Sequence, residues 1–308
     1  MNIKISKITL GSRKSLLAKE HIKIFEKKFY EVFGKSSSIR IEKKFYKTSG
    51  DAFLNKQISD IGNKGLFTKE IDDALIYGDI NLGIHSLKDL PTILPKGLEI
   101  GAILKREDFR EVIISNKGYK VYDLESKAVI GTSSIRRRMQ LERLKKKLVI
   151  KDIRGNIDTR INKVLNKEYD AILLAYAGIK RLGIETKFNV IDPRIITPAL
   201  GQGAIALVLK KTNLNVNSII KKLNHTKTSL ETECERNFLR ALDGNCQTPV
   251  GGYAIIKNIN GEKKIIFSFK AFSKDGVTLI KDRVCFNLNN FRTESFKLGV
   301  KVKQKIKI

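Results

Sequence analysis

Along the first two thirds of the chain, apolar residues fall into two alternating rhythms. Short runs rich in β-branched and aliphatic residues read as strands: IRIEKKFY (39–46), DINLGIHS (79–86), KAVIGTSS (127–134), LVIKDI (148–153), AILLAYAG (171–178) and AIALVLK (204–210). Between them Ala18, Ile22, Phe25, Phe29 and Val32 recur at helical spacing, as do Ile157, Ile161, Val164 and Leu165. Strands that alternate with helices predict an α/β fold. From about residue 219 the rhythm changes. Thr228-Ser229-Leu230-Glu231 has the spacing of a capping box, and Leu230, Cys234, Phe238 and Ala241 share a helical face that stops before Gly244. Three strand-like runs follow, YAIIKNI, KKIIFSFKAF and VTLIKDRVCF, joined by the turn signals Asn260-Gly261 and Asp275-Gly276. This part predicts a small α+β domain.

Two stretches echo two others. ITLGSRKSLLAKE and AVIGTSSIRRRMQ are each an apolar strand, then glycine, then hydroxyl and basic residues opening a helix. DINLGIHSLKDL and DAILLAYAGIKRL form the second pair, which puts Asp89 and Arg181 at corresponding strand ends. The repetition predicts two similar α/β domains. Open α/β sheets bind ligands at the carboxyl ends of their strands, so two such domains facing each other are expected to enclose a cleft.

Composition narrows the classes. A chain of 308 residues, 42% of them hydrophobic, has room for about two average domains. No run approaches the roughly 18 apolar residues of a membrane span, and MNIKISKITLGSRKS lacks a signal-peptide core, so a cytoplasmic location is expected. Three cysteines without a CxxC and three scattered histidines argue against a disulfide framework or a zinc site, and no metal is expected. Sixty Lys+Arg against 32 Asp+Glu raise the question of nucleic acid, but the excess is lysine spread along the whole chain, with no nucleic-acid motif.

The arginines are more pointed. GTSSIRRR places Arg136, Arg137 and Arg138 in the first turn of a helix, where cations oppose the macrodipole by roughly 0.3–1 kcal/mol each. They are either solvated or part of an anion site that also uses the free amides of the helix end and the hydroxyls of Thr132, Ser133 and Ser134. Arg13 and Ser15 make a smaller version at the first helix, and Arg154 and Arg160 lie around another junction in DIRGNIDTR. So many cations at strand ends imply a ligand with several carboxylates or phosphates. Against them DINLGIHSLKDLP aims one carboxylate, Asp89, out of a strand end beside Lys88. His85 and Ser86 are adjacent on a strand and point to opposite faces, so they do not form a hydrolase pair. There is no GxSxG elbow, and GNKGLF lacks the ending of a phosphate-binding loop. Cys234 and Cys285 read as core residues, whereas Cys246, in DGNCQTP, reads as a loop thiol whose thiolate a basic surrounding would favour.

In the order GSRKSLLA, TSGD, GNKGLFTKE, HSLKDLP, KREDFRE, GTSSIRRR, DIRGNIDTR, AGIKRLG, PALGQGA and DGNCQTPVGGYA, the chain resembles the hydroxymethylbilane synthase (porphobilinogen deaminase) family over nearly its whole length. The resemblance implies two type II periplasmic-binding-protein-like α/β domains and a third, small α+β domain that bears the cofactor. The expected boundaries are 1–100 with 199–218, 101–198, and 219–308, with the AIALVLK strand returning to the first domain. It implies a monomeric enzyme that joins four porphobilinogen units head to tail into hydroxymethylbilane and releases ammonia at each step. Neither nucleic acid nor membrane is an expected partner. The implied cofactor is dipyrromethane, attached by a thioether to Cys246. Asp89 is the implied catalytic residue, expected to stay ionised beside its cationic neighbours. Ser86, Lys88, Ser134, Arg136, Arg137, Arg154 and Arg160 are implied to hold the cofactor, and Arg13, Ser15, Lys64, Phe67, Arg181 and Gln202 the substrate. The chain departs from the family pattern in its lysine content and in stopping at KVKQKIKI, where many relatives continue. A non-catalytic anion-binding protein of the same architecture is the rival expectation, and it gives DGNCQTP and Asp89 nothing to do.

Overall fold

The computed structural model describes residues 5–52, 65–144, 147–244 and 248–306. In these residues the strands are β1 (Lys7–Arg13), β2 (Arg40–Tyr46), β3 (Leu82–Ser86), β4 (Leu98–Ile103), β5 (Glu111–Ser115), β6 (Val129–Gly131), β7 (Val149–Lys151), β8 (Ala171–Ala175), β9 (Asn189–Ile191), β10 (Ile205–Lys210), β11 (Val250–Ile259), β12 (Glu262–Phe272) and β13 (Leu279–Asn287). The helices are α1 (Leu16–Phe33), α2 (Ser49–Ala52), α3 (Lys69–Tyr77), α4 (Ile135–Glu142), α5 (Ile157–Leu165), α6 (Tyr176–Leu182), α7 (Leu214–Lys221), α8 (Thr226–Ala241) and α9 (Phe291–Ile306). None of them is long and apolar enough to cross a membrane. The backbone gathers into two compact units, Met1–Arg106 with Ala204–Ser229, and Glu107–Gly203 with Leu230–Ile308.

In the first unit the sheet order is β2-β1-β3-β10-β4, with β1, β2 and β3 parallel and β10 antiparallel to both of its neighbours. Period-2 alternation sends Ile205, Leu207 and Leu209 of β10 to one face, against α1 and α7, and Ala204, Ala206 and Val208 to the other, against α3. A strand buried on both faces reads as a continuous apolar run, and AIALVLK does. Ser15 caps α1, its side-chain oxygen accepting from the Ala18 amide at 3.3 Å.

The first sheet of the second unit has the order β7-β6-β8-β5-β9. Again three parallel strands are followed by a fourth that runs antiparallel to both of its neighbours. The echoing stretches thus occupy equal places: β1 and β6 are second in their sheets, β3 and β8 third. Several expected strands are shorter than read, DINLGIHS and LVIKDI among them. KAVIGTSS is extended only at Val129–Gly131, because Thr132–Ser134 turn to cap α4, and AILLAYAG leaves the sheet after Ala175. Its partner β5 begins at Glu111, opposite Ala175; the Tyr176 amide makes one more bond, donating to the Arg110 carbonyl at 3.0 Å, and α6 starts there.

The three-stranded sheet β11-β12-β13 packs one face against α8 and α9, with Cys234, Phe238, Phe267, Phe269 and Phe291 in the core between them. Gly299 permits the close approach of the two helices: a Cβ there would lie 2.6 Å from the Phe238 carbonyl oxygen. Cys285, expected in the core, is exposed. It alternates with Val284 and Phe286, which face the core, so its side chain points the other way. The outer edge of β11 is covered by carboxylates one helical turn apart on α8. Glu231 accepts from the Ile256 amide at 2.9 Å, and Glu235, fully buried, accepts from Ala254 at 2.8 Å and from Gly201 at 2.6 Å.

Glu235→Ala strands two buried amides in different segments. At about 1–3 kcal/mol for each orphaned group, urea unfolding is expected to show a loss of about 2–5 kcal/mol, and a loss below about 1 kcal/mol would contradict the double anchor.

Two buried groups of the first unit titrate in opposite senses. Burial, reinforced by the Arg13 charge, brings the His85 imidazole down to about 4, and burial brings the Asp72 carboxyl up to about 6. As pH falls from 6.5 to 4 the unfolded chain gains a proton at His85 that the folded chain refuses, so stability falls. Below pH 6 folded Asp72 takes a proton that the unfolded chain refuses until 3.8, so stability rises. Each contribution is roughly 3 kcal/mol, and the two oppose each other. Relative to wild type, His85→Gln is expected to gain stability on acidification through this window and Asp72→Asn to lose it. Unfolding curves that stay parallel across the window would rule this out.

Candidate functional site

In the first unit the expected residues collect at the carboxyl ends of β1 and β3. Arg13 is the last residue of β1, and its guanidinium carbon lies 4.5 Å from the centroid of the Phe67 ring. The TSGD turn presses on the same ring, since a Cβ on Gly50 would fall 2.3 Å from a Phe67 ring carbon. After Ser86 the chain makes one turn of 3₁₀ helix over Leu87–Asp89. Leu87 and Leu90 are 1% and 5% exposed and anchor that turn in the core beneath α3. With residues three apart on the inner side, Lys88 and Asp89 are carried outward and remain only partly buried. The apolar pattern thus fixes the direction of the carboxylate.

In the second unit the cations collect at the carboxyl ends of β6, β7 and β8. Ser134 caps α4, accepting from the Arg137 amide at 3.4 Å, and the Ser133 hydroxyl joins the ends of β6 and β7 by donating to the Ile153 carbonyl at 3.0 Å. Thr132 Oγ1 accepts from the Ser134 amide at 3.2 Å. These hydroxyls therefore build the turn itself.

Arg136 and Arg137 lie over β5. Arg136 donates from Nη2 to Glu111 Oε1 at 2.7 Å and from Nη1 to the Thr197 carbonyl at 2.6 Å. Arg137 donates from Nη2 to Glu111 Oε2 at 2.7 Å, from Nε to Oε1 at 3.3 Å and from Nη1 to the Leu173 carbonyl at 2.8 Å. Glu111 is completely buried and the two arginines are 5% and 7% exposed. Burial holds Arg136 below the ordinary guanidinium range, Glu111 opposing and the Arg137 charge adding to the effect. Glu111 was not singled out from the sequence; its signal there is an acid at the head of the apolar run EVIIS.

Arg160 donates from Nε to the Gly155 carbonyl at 2.8 Å. Its pKa is down to about 10 through burial and the charges of Arg137 and Arg154. Three guanidiniums from α4, the β7–α5 junction and α5 therefore converge. Arg181, on α6, donates from Nη2 to the Gly203 carbonyl at 2.6 Å, and burial brings it to about 10 against the pull of Glu107. Gln202 is fully buried and donates to the Phe109 carbonyl at 2.8 Å. Lys64 and Cys246 lie outside the described residues. Mutually repelling cations at the starts of two helices suit a ligand with several carboxylates.

Two family models cover the chain: "Porphobilinogen deaminase, dipyromethane cofactor binding domain" matches residues 8–218, and "Porphobilinogen deaminase, C-terminal domain" matches residues 229–307. The porphobilinogen deaminase of Nitratiruptor sp. is 42% identical over 293 residues, covering 94% of this chain and 90% of that one. That of Bacillus subtilis is 39% identical over 284 residues, covering 91% and 88%. Solved structures are more distant: the probable amino-acid ABC transporter extracellular-binding protein ytmK of Bacillus subtilis is 11% identical, with a TM-score of 0.41 over 71% of this chain and 90% of that one. With both models in sequence order and relatives of this closeness along nearly its full length, the chain belongs to the porphobilinogen deaminase family.

Proposed function

We propose that this protein is the transferase of porphyrin biosynthesis that joins four porphobilinogen molecules head to tail into hydroxymethylbilane, with release of ammonia at each step. The observation that carries this reading is the convergence of Arg137, Arg154 and Arg160, each raising the electrostatic demand for anions at the ends of β6 and β7. Every pyrrole of such a chain brings an acetate and a propionate, which offset that repulsion. The same chemistry fits a dipyrromethane cofactor, with Ser134, Arg136, Arg137, Arg154 and Arg160 as its carboxylate holders, joined by Ser86 and Lys88, and Cys246 as its attachment point. When bound, that group supplies the pyrrole carbon to which the first substrate is added. Cys246 suits the attachment because a soft thiolate forms a thioether that does not hydrolyse.

The substrate's own amine is an ammonium near neutral pH and departs without a strong acid from the protein. Asp89, turned outward by the Leu87/Leu90 anchor, acts as a fixed anion that holds pyrrole N–H groups and stabilises the azafulvenium cation left when ammonia departs. Arg13, Ser15, Lys64, Phe67, Arg181 and Gln202 are assigned to the incoming substrate, Gln202 acting from a buried and Arg181 from a half-buried position. We assign Asp89 and its neighbours to residues 1–100 with 199–218, the arginine cluster to 101–198, and the cofactor carrier to 219–308. The enzyme is proposed to be a cytoplasmic monomer.

Intact-protein mass spectrometry tests the reading directly. The purified chain is expected to exceed its translated mass by a dipyrromethane, and Cys246→Ser to lose the excess; a bare mass, unchanged after incubation with porphobilinogen, would leave only a non-catalytic anion-binding protein. Asp89→Asn is expected to lower turnover by at least about 100-fold while substrate still binds, and near-normal turnover would sink the electrostatic role. Charge reversal in Arg154→Glu is expected to alter the ladder of protein masses seen after incubation with porphobilinogen, and an unchanged ladder would remove Arg154 from the site.

A further inference from the structure

Arg136 and Arg137 are adjacent on α4, so their side chains leave the helix about 100° apart. Each carries roughly 2 kcal/mol of rotamer entropy. Yet both end on Glu111, one on each carboxylate oxygen at 2.7 Å. The other arm of Arg136 is fastened to the Thr197 carbonyl, and Thr197 is in turn gripped by Gln140, which accepts from its amide at 2.8 Å and donates to its carbonyl at 3.0 Å. Arg136 is therefore a strut between α4, β5 and the segment before Pro198. Arg137 differs: besides Glu111 it reaches the Leu173 carbonyl, one residue beyond the last pairing of β8 with β6, and its charge is felt at Arg160. Its guanidinium thus links the buried acid to the end of β8.

We propose that Glu111 is a positioning residue that fixes the Arg137 guanidinium for carboxylate binding, an inference that rests on the porphobilinogen-polymerising function argued above. Two guanidiniums and one carboxylate leave the trio a single positive charge. Glu111 thereby removes half of the local repulsion and holds Arg137 in one orientation, so that a ligand carboxylate meets a preorganised donor rather than a mobile one. Glu111 is completely buried with both of its oxygens engaged by arginines, so it acts on a ligand through Arg137.

The test uses the full chain. Wild type is first shown to convert porphobilinogen; if it does not, the enzymatic reading and this inference fall together. With an active wild type, Glu111→Gln is expected to raise KM for porphobilinogen by at least about tenfold with kcat changed far less, the pattern of lost uniform binding. The concentration of porphobilinogen needed for half-maximal gain of dipyrromethane mass should rise in parallel. Glu111→Asp should restore both to within about threefold of wild type. In the double variant Glu111→Gln/Arg137→Gln, KM should be no worse than in Arg137→Gln alone, because the two act in series. Removing one member of a buried ion pair is strongly destabilising, so Glu111→Gln/Arg136→Met, which keeps the trio's net charge of one, serves if the single variant does not fold, and the same rise in KM is expected. A fall in Tm with KM and loading unchanged in these variants, or additive effects in the double variant, would reduce Glu111 to a structural strut and overturn the proposal while leaving the enzymatic function intact.

Discussion

A guanidinium or a carboxylate taken out of water must find partners within the protein, because an unpaired buried charge costs far more than a folded domain can offset. Much of the second unit is arranged by that requirement. Glu111, completely buried, draws two arginines of α4 across β5, and through Arg136 it fixes the backbone at Thr197. Glu235, equally buried, ties the amide of Gly201 to that of Ala254. Between these anchored points run Pro198 and the PALGQGA segment that holds Gln202. A polar skeleton of two acids thus sets the backbone that carries several ligand-binding candidates, and the apolar clusters fill the space around it.

The two five-stranded sheets show how similar local patterns yield different chemistry. Equal strand order places equal junctions at the carboxyl ends of the parallel strands, where ligands of open α/β sheets are met. At the third strand the first sheet continues into a 3₁₀ turn with Lys88 and Asp89, and the second into α6 with Arg181. One scaffold presents an anion and the other presents cations.

Much of this was legible in the residues. The alternation in AIALVLK, the echo of ITLGSRKS in AVIGTSSI and the Ser134 cap are local signals, and the structure uses each of them locally. What escaped was non-local. The strands β5 and β9 are short, and β9 is an edge, so neither run gives a long periodic signal. Cys285 looks apolar by strand membership, but one residue of register decides its face. The hydroxyls of Thr132 and Ser133 have a turn-closing part that the sequence did not show, Thr132 accepting from the Ser134 amide and Ser133 donating to the Ile153 carbonyl. Glu111 lies 26 positions before Arg137, and only the antiparallel insertion of β5 beside β8 brings the two together.

The place of β10 also dictates the order in which the chain can acquire its form on the ribosome. Ser86 of β3 pairs with Ile205, and Ile103 of β4 with Ala206, so the first sheet lacks the strand between β3 and β4 until the nascent chain has passed Lys210. Every strand of the second sheet lies between Glu111 and Ile191. At about 5–20 residues per second, the 19 residues from Ile191 to Lys210 take about 1–4 seconds, during which the interior segment can close its sheet while β3 and β4 wait with these edges unpaired. Protection of those edges, whether by a chaperone or by transient pairing, becomes a requirement of biosynthesis that the finished molecule no longer displays.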